Sequence, residues 1–156
     1  MESASILAFL LSFGVILVTW VNHHAVLKLV DKSSVSFTYA NALLLLTVVF
    51  IPFPTALLGD FVLTDHAAPA VVLYDAVGTA QSIAWVLLSR SVLKNGLARS
   101  EQAATVMRES SRNAYYAFVL YGLLTVAALW FPLAVAVVTL LTWIFWLSLS
   151  VRVSAE

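Results

Sequence analysis

The residues best suited to chemistry in this 156-residue chain sit at the end of its first apolar run, in the stretch Thr19-Trp20-Val21-Asn22-His23-His24. Polar side chains inside such a run are costly, so a cluster of them marks a place where the fold does something specific. His23 and His24 follow Trp20 by three and four residues, which puts the three side chains on one face of a helix. Asn41, a loop of about ten residues beyond that run, enters at a similar depth. Trp20, His23, His24 and Asn41 are therefore expected to form a hydrogen-bond network at an inner mouth, tying two helices together. The competing reading is that histidines one turn from a helix end simply reach lipid headgroups. No metal site is expected, because neighbouring helical residues diverge by about 100° and the third histidine, His66, lies across another apolar run.

Asp75 is the one carboxylate that falls inside an apolar run, about two turns from its outer end. It could be hydrated at an outer vestibule, pair with a polar group, or serve as an outer cation site. An aspartyl protease within the membrane would need a second aspartate at matching depth, and no span supplies one. No serine, histidine and acid converge for a hydrolase, and there is no cysteine for a thiol nucleophile. No enzyme activity and no cofactor are expected. The carbonyl filter signature Thr-Val-Gly-Tyr-Gly is also absent, so any constriction would have to come from apolar side chains such as Leu43 to Leu46 or those of the first helix.

The elements that must carry these residues are long and apolar. With 62% hydrophobic and 10% charged residues, the composition is that of an integral membrane protein. A net charge of zero gives no electrostatic case for nucleic acid. Five runs, at 4–27, 37–59, 69–93, 113–130 and 132–151, approach the roughly 20 residues that cross a membrane as a helix. Lys28 and Lys32 lie between the first two; Arg90, Lys94, Arg99, Arg108 and Arg112 lie between or at the ends of the third and fourth; Arg152 follows the fifth. The opposite side holds Glu2, the Asp60 to His66 loop and the Trp130-Phe131-Pro132 turn, without a basic residue. The positive-inside rule then gives an all-α, five-helix, multi-pass membrane domain over 1–156, with its N-terminus outside and its C-terminus in the cytoplasm. A short interfacial helix is expected at about 98–110, capped by Ser100, after Gly96 ends the third span. Pro52 and Pro54 should kink the second span, which Gly59 ends. Gly78 and Ser82 allow close helix approach, with Gln81 beside them to hydrogen-bond across it.

Several of these residues together resemble the transmembrane protein 175 family. They are Ser12-Phe13, Trp20, His23-His24, Asn41, Leu43 to Leu46, and the run Ile51-Pro52-Phe53-Pro54-Thr55-Ala56-Leu57-Leu58-Gly59. Tyr74, Trp85 and Pro132 fall where the pattern would continue. The resemblance implies a prokaryotic potassium channel subunit in the cell membrane, assembled as a homotetramer in lipid, with potassium passing along the family's first helix. It makes Pro52, Pro54 and Thr55 a helix-kink motif. Ser12-Phe13-Gly14 is not the Phe-Ser-Asp motif of that first helix, so the chain is expected to lack it, leaving the filter residues unassigned. Trp20, His23 or His24, and Asn41 would then face an open groove. The alternative is a non-conducting remnant or accessory protein that keeps the scaffold without the pore.

Overall fold

Serines start two of the helices by the same device. Ser34 is extended and its hydroxyl accepts the Phe37 N–H at 3.2 Å, and Ser100 accepts the Ala103 N–H at 3.1 Å. The computed structural model describes the backbone of residues 2–153 and the side chains of 6, 9, 10 and 12–146. The side chains of Glu2 and Arg152, used in the charge pattern, lie outside these. The elements are α1 (Glu2–Lys28), α2 (Val35–Phe50), α3 (Pro52–Phe61), α4 (Ala67–Lys94), α5 (Glu101–Ala127) and α6 (Pro132–Val153). Among the described residues the only β pairing is an isolated bridge between Val30 and Ala98.

The end of α4 shows how one glycine stops a helix. Gly96 takes φ 58°, the left-handed region that a side chain disfavours. Its N–H reaches the Leu93 carbonyl at 3.4 Å and the next N–H, of Leu97, reaches Val92 at 3.0 Å. Two carbonyls that the helix end would orphan are satisfied this way. At the proline pair, Ile51 separates α2 from α3. Thr55 directs both its N–H, at 3.2 Å, and its hydroxyl, at 2.8 Å, onto the Ile51 carbonyl. Gly59 does not end this segment, since α3 continues to Phe61 and is capped at Val62.

The expected short surface helix is not a separate element. It is the opening of α5, which runs unbroken from Glu101 to Ala127 and absorbs the expected fourth span. No proline or glycine occurs between Glu101 and Gly122 to interrupt it. Arg108, Glu109 and Arg112 stay on its exposed side, while Ala103, Met107, Ser111, Ala114 and Tyr121 form a buried stripe at helical spacing. At 1.5 Å per residue α5 is about 40 Å long, so it can cross a hydrocarbon layer of ~30 Å and still project beyond it.

α4 is the hub, packed along α5 and touching α2, α3 and α6, while α1 lies against α3. A cluster of Val26, Phe37, Ala40, Leu44, Leu88, Val92 and Met107 fills one end of the bundle, and Val71, Ala128 and Val135 fill the other. The two basic loops are joined directly. The Asp31 N–H donates to the Leu97 carbonyl at 3.0 Å and the Arg99 N–H to Leu29 at 2.9 Å. Lys28, Lys32, Lys94 and Arg99 thus share one end of the molecule. Among the described residues two helical stretches are long and apolar enough to cross a membrane, Val35–Phe61 and Ala67–Lys94.

Gly78 gives the α4–α5 contact its closeness. A Cβ there would stand 3.2 Å from the Tyr121 ring, whereas one at Gly122 would meet nothing within 4 Å. Gly78→Leu is therefore expected to destabilise the detergent-solubilised protein by about 1–3 kcal/mol, through overpacking. Gly122→Ala should leave the thermal midpoint unchanged or slightly raised. Equal midpoints for the two variants would show that this approach does not hold the bundle together.

Candidate functional site

α1 buries Val15, Val18, Thr19, His23 and Val26, a stripe at helical spacing, and this stripe turns His23 inward. His23 is only 5% exposed. Its Nε2 lies 2.6 Å from Oδ1 of Asn41 on α2. With Oδ1 as acceptor the ring carries its hydrogen on Nε2, which leaves the buried Nδ1 without a hydrogen-bond partner. Trp20 and Trp85 flank the imidazole, their ring centroids 6.1 and 6.5 Å from it. Of the four residues expected to meet, only His23 and Asn41 share a hydrogen bond. Trp20 adds a ring contact and is otherwise 58% exposed, and His24 points outward. The sharing of a face at three- and four-residue spacing is loose enough that one of two adjacent histidines is buried and the other is not.

A second tie lies one turn away on α1. Gln81 of α4 donates to the Thr19 hydroxyl at 3.0 Å, and Thr19 in turn donates to the Val15 carbonyl at 3.0 Å. Gln81 thus bonds across to α1, not to the helix that approaches Gly78. Trp85 was not among the expected partners. Its position four residues after Gln81 places both on one side of α4 and was the available signal. Where an open groove was expected beside Trp20 and His23, His23 is covered, while Trp20, Leu17 and Phe13 are exposed along one side of α1. A groove of about 490 Å³ lies between α5 and α6 and is lined by Tyr116, Leu120, Leu141 and Phe145 among others.

Asp75 differs most from expectation. It is 0% exposed, where an acid in an open vestibule would keep solvent-accessible surface. The Thr139 hydroxyl of α6 donates to Oδ1 at 2.8 Å, and Oδ2 has no partner. Hydroxyl groups surround it. Thr79 donates to the Asp75 carbonyl at 2.9 Å and stands 3.4 Å from Thr125, while Tyr121 meets Thr142 at 3.3 Å. Tyr74 lies beside Thr55 and Trp143. Threonines in apolar helices look like ordinary packing residues in a sequence, so this layer gave no advance signal. Among the described residues no group of three histidines or acids could hold a metal.

The whole arrangement of helices matches a known one. The crystal structure of a lysosomal potassium-selective channel TMEM175 homolog from Chamaesiphon minutus superposes with a TM-score of 0.71 and 30% sequence identity, covering 93% of this chain and 73% of that one. This chain belongs to the TMEM175 family. The family model described as endosomal/lysosomal potassium channel TMEM175 matches residues 1–52, the stretch that contains Trp20, His23, His24, Asn41 and Pro52. A potassium channel of Chamaesiphon minutus is 47% identical over 79 residues, 51% of this chain and 39% of that relative. A potassium channel of Streptomyces collinus is 33% identical over 90 residues, 57% of this chain and 44% of that relative. The chain thus spans less than half the length of the curated relatives it matches. These relatives are named as channels, which points away from an enzyme.

In the TMEM175-family chain, Asn41→Ala would leave both His23 nitrogens without partners. Hydrogen bonds between membrane helices average only about 0.6 kcal/mol, but a stranded buried group costs roughly 1–3 kcal/mol, and the second term should dominate. The variant is expected to lose about 1–2 kcal/mol in a detergent unfolding titration, with His24→Ala within experimental error of the parent. A similar loss from both substitutions would contradict the assignment of His23 as the bonded histidine.

Proposed function

We propose that the chain is a subunit of a potassium channel in the prokaryotic plasma membrane, crossing it five times through α1, the α2–α3 rod, α4, α5 and α6. Its N-terminus lies outside and its C-terminus in the cytoplasm. The observation that carries this reading is the likeness over 93% of the chain to a potassium-selective channel at 30% identity. Topology is supported by the joined basic loops, since Lys28, Lys32, Lys94 and Arg99 fall at one end of the bundle as the positive-inside rule asks. The subunit works as a homo-oligomer, a tetramer on the family's pattern. Phe13, Leu17 and Trp20 form an exposed apolar stripe on α1 that meets lipid or another subunit.

In this reading the His23–Asn41 bond has a mechanical role. It fixes the register of α1 against α2 at the cytoplasmic end, and Gln81 fixes α1 against α4 one turn deeper. A helix beside a conduction path must hold its side chains to within fractions of an ångström, and paired polar groups do that better than interchangeable apolar contacts. Ion discrimination falls to apolar constriction and dehydration, because Asp75, the carboxylate within the spans, is sealed off.

The natural gene product reconstituted in liposomes should pass potassium in preference to sodium. Asn41→Ala is expected to reduce that flux several-fold or erode its selectivity. Protein that assembles in the bilayer yet carries no potassium would overturn the proposal.

A further inference from the structure

The carboxyl of Asp75 is built into the bundle in a way that an ionised group would not tolerate. It sits eight residues into α4, and Thr139 sits seven residues into α6. Both are therefore about 11–12 Å from the helix starts, inside the apolar part of a ~30 Å layer. A carboxylate offers about four acceptor sites, and here a single hydroxyl serves one oxygen while the other has none. The titratable groups facing it are Tyr74 on its own helix and Tyr121 on α5. Among the described residues α6 presents Thr139 and no titratable side chain, and α3 reaches the layer through Thr55. No cation pairs with it, the one ion pair among the described residues being Arg108–Glu101 at 3.7 Å on the surface. An unpaired charge so placed is far more costly than a neutral acid in the same hydrogen bond.

We propose that Asp75 is a proton-binding site that couples the α4–α6 contact to pH: its carboxyl holds a proton on Oδ2 while the two helices are in contact and releases it to water when they part. The bound form is a neutral acid whose Oδ1 still accepts from Thr139. On opening, the O–H bond breaks, the proton passes to water and the carboxylate becomes hydrated. On closing, water returns the proton.

The sign of the coupling follows directly. Between the ordinary titration range of an exposed carboxyl and the higher range of the buried one, the closed state carries one more proton than the open state, so within that window falling pH favours closure and rising pH favours opening. One proton limits the change to at most about tenfold in the open-to-closed ratio per pH unit. The inference uses the placement of α4 in the membrane and does not depend on what the protein conducts.

Asp75→Asn is the test, because the amide keeps an oxygen for Thr139 and cannot ionise. The infrared spectrum of the parent in lipid at neutral pH should contain a protonated-carboxyl C=O band that Asp75→Asn lacks. The thermal midpoint of the parent should fall as the buffer goes from acidic to mildly alkaline, with Asp75→Asn showing a flatter profile. Absence of the band, or the same pH profile in both proteins, overturns the proposal. So does a parent midpoint that follows sodium or potassium concentration at fixed pH and loses that dependence in Asp75→Asn, since the site would then hold a metal cation. If Asp75→Asn does not fold, Thr139→Val supplies the second arm. Losing the donor should shift the parent's carboxyl band, and an unshifted band would overturn the assignment to Asp75.

Discussion

The Tyr121 ring rests on the α4 backbone at Gly78, and the rest of the bundle is arranged around that contact. In lipid, helices gain little from hiding apolar surface, because the tails are as apolar as leucine. What brings them together is close packing and polar contact, and a glycine supplies the first by letting a flat ring lie against the backbone. With α5 held on one side of α4, the rod of α2 and α3 takes another and α6 a third. α1 then lies against α3 and reaches α4 by a long side chain, Gln81 to Thr19.

Polar groups inside the bundle occur at two depths, with different consequences. Near the basic end, His23 and Asn41 bond each other at short range, with the imidazole between two flanking indoles. Such a pair resists sliding, because a shift of one residue would strand both partners. Near the other end, Asp75 and its surrounding hydroxyls tie α4 to α6 through Thr139, and α5 to α6 through Tyr121 and Thr142. Most of those threonines also bond to a carbonyl three or four residues back in their own helix, as Thr79, Thr125 and Thr142 do. The lateral bonds of these three are therefore exchangeable, and each of the three hydroxyls keeps a partner when its lateral contact is lost.

The parts of this fold legible in the sequence were those written in backbone chemistry. Ser100 announced a helix start, Gly96 a stop and Pro132 another start, since each acts through its own dihedral or hydrogen bond. The six-way arrangement was less legible, and α5 shows why. Its polar first half read as a surface helix because hydropathy reports where a segment prefers to sit, whereas continuity depends on the absence of a breaker. The sites divide along the same line. His23 and Asn41 could be paired from depth alone, but choosing His23 over His24 required the rotation of α1, which is set by contacts with α3 and α4. For Asp75 the sequence left hydration, pairing and cation binding open, because position along a helix gives a depth and not the neighbour that covers the side chain. Its burial comes from α6, a helix more than sixty residues away in sequence, laying Thr139 over it.

The basic loops connect these levels. In the proposed topology Lys28, Lys32, Lys94 and Arg99 are the charges that set which end faces the cytoplasm, a role that needs no contact between them. The structure gives their loops a second role, because the Asp31–Leu97 and Arg99–Leu29 hydrogen bonds close the ring of helices at the end where His23 meets Asn41. α1 is thereby held at three successive levels: the loop bridge, the histidine pair and the Gln81–Thr19 bond. Toward its start the described side chains Ile6, Phe9, Leu10 and Phe13 are exposed and apolar. All three polar levels therefore lie from Thr19 onward, and it is there that the rotation and height of α1 are fixed against α2 and α4.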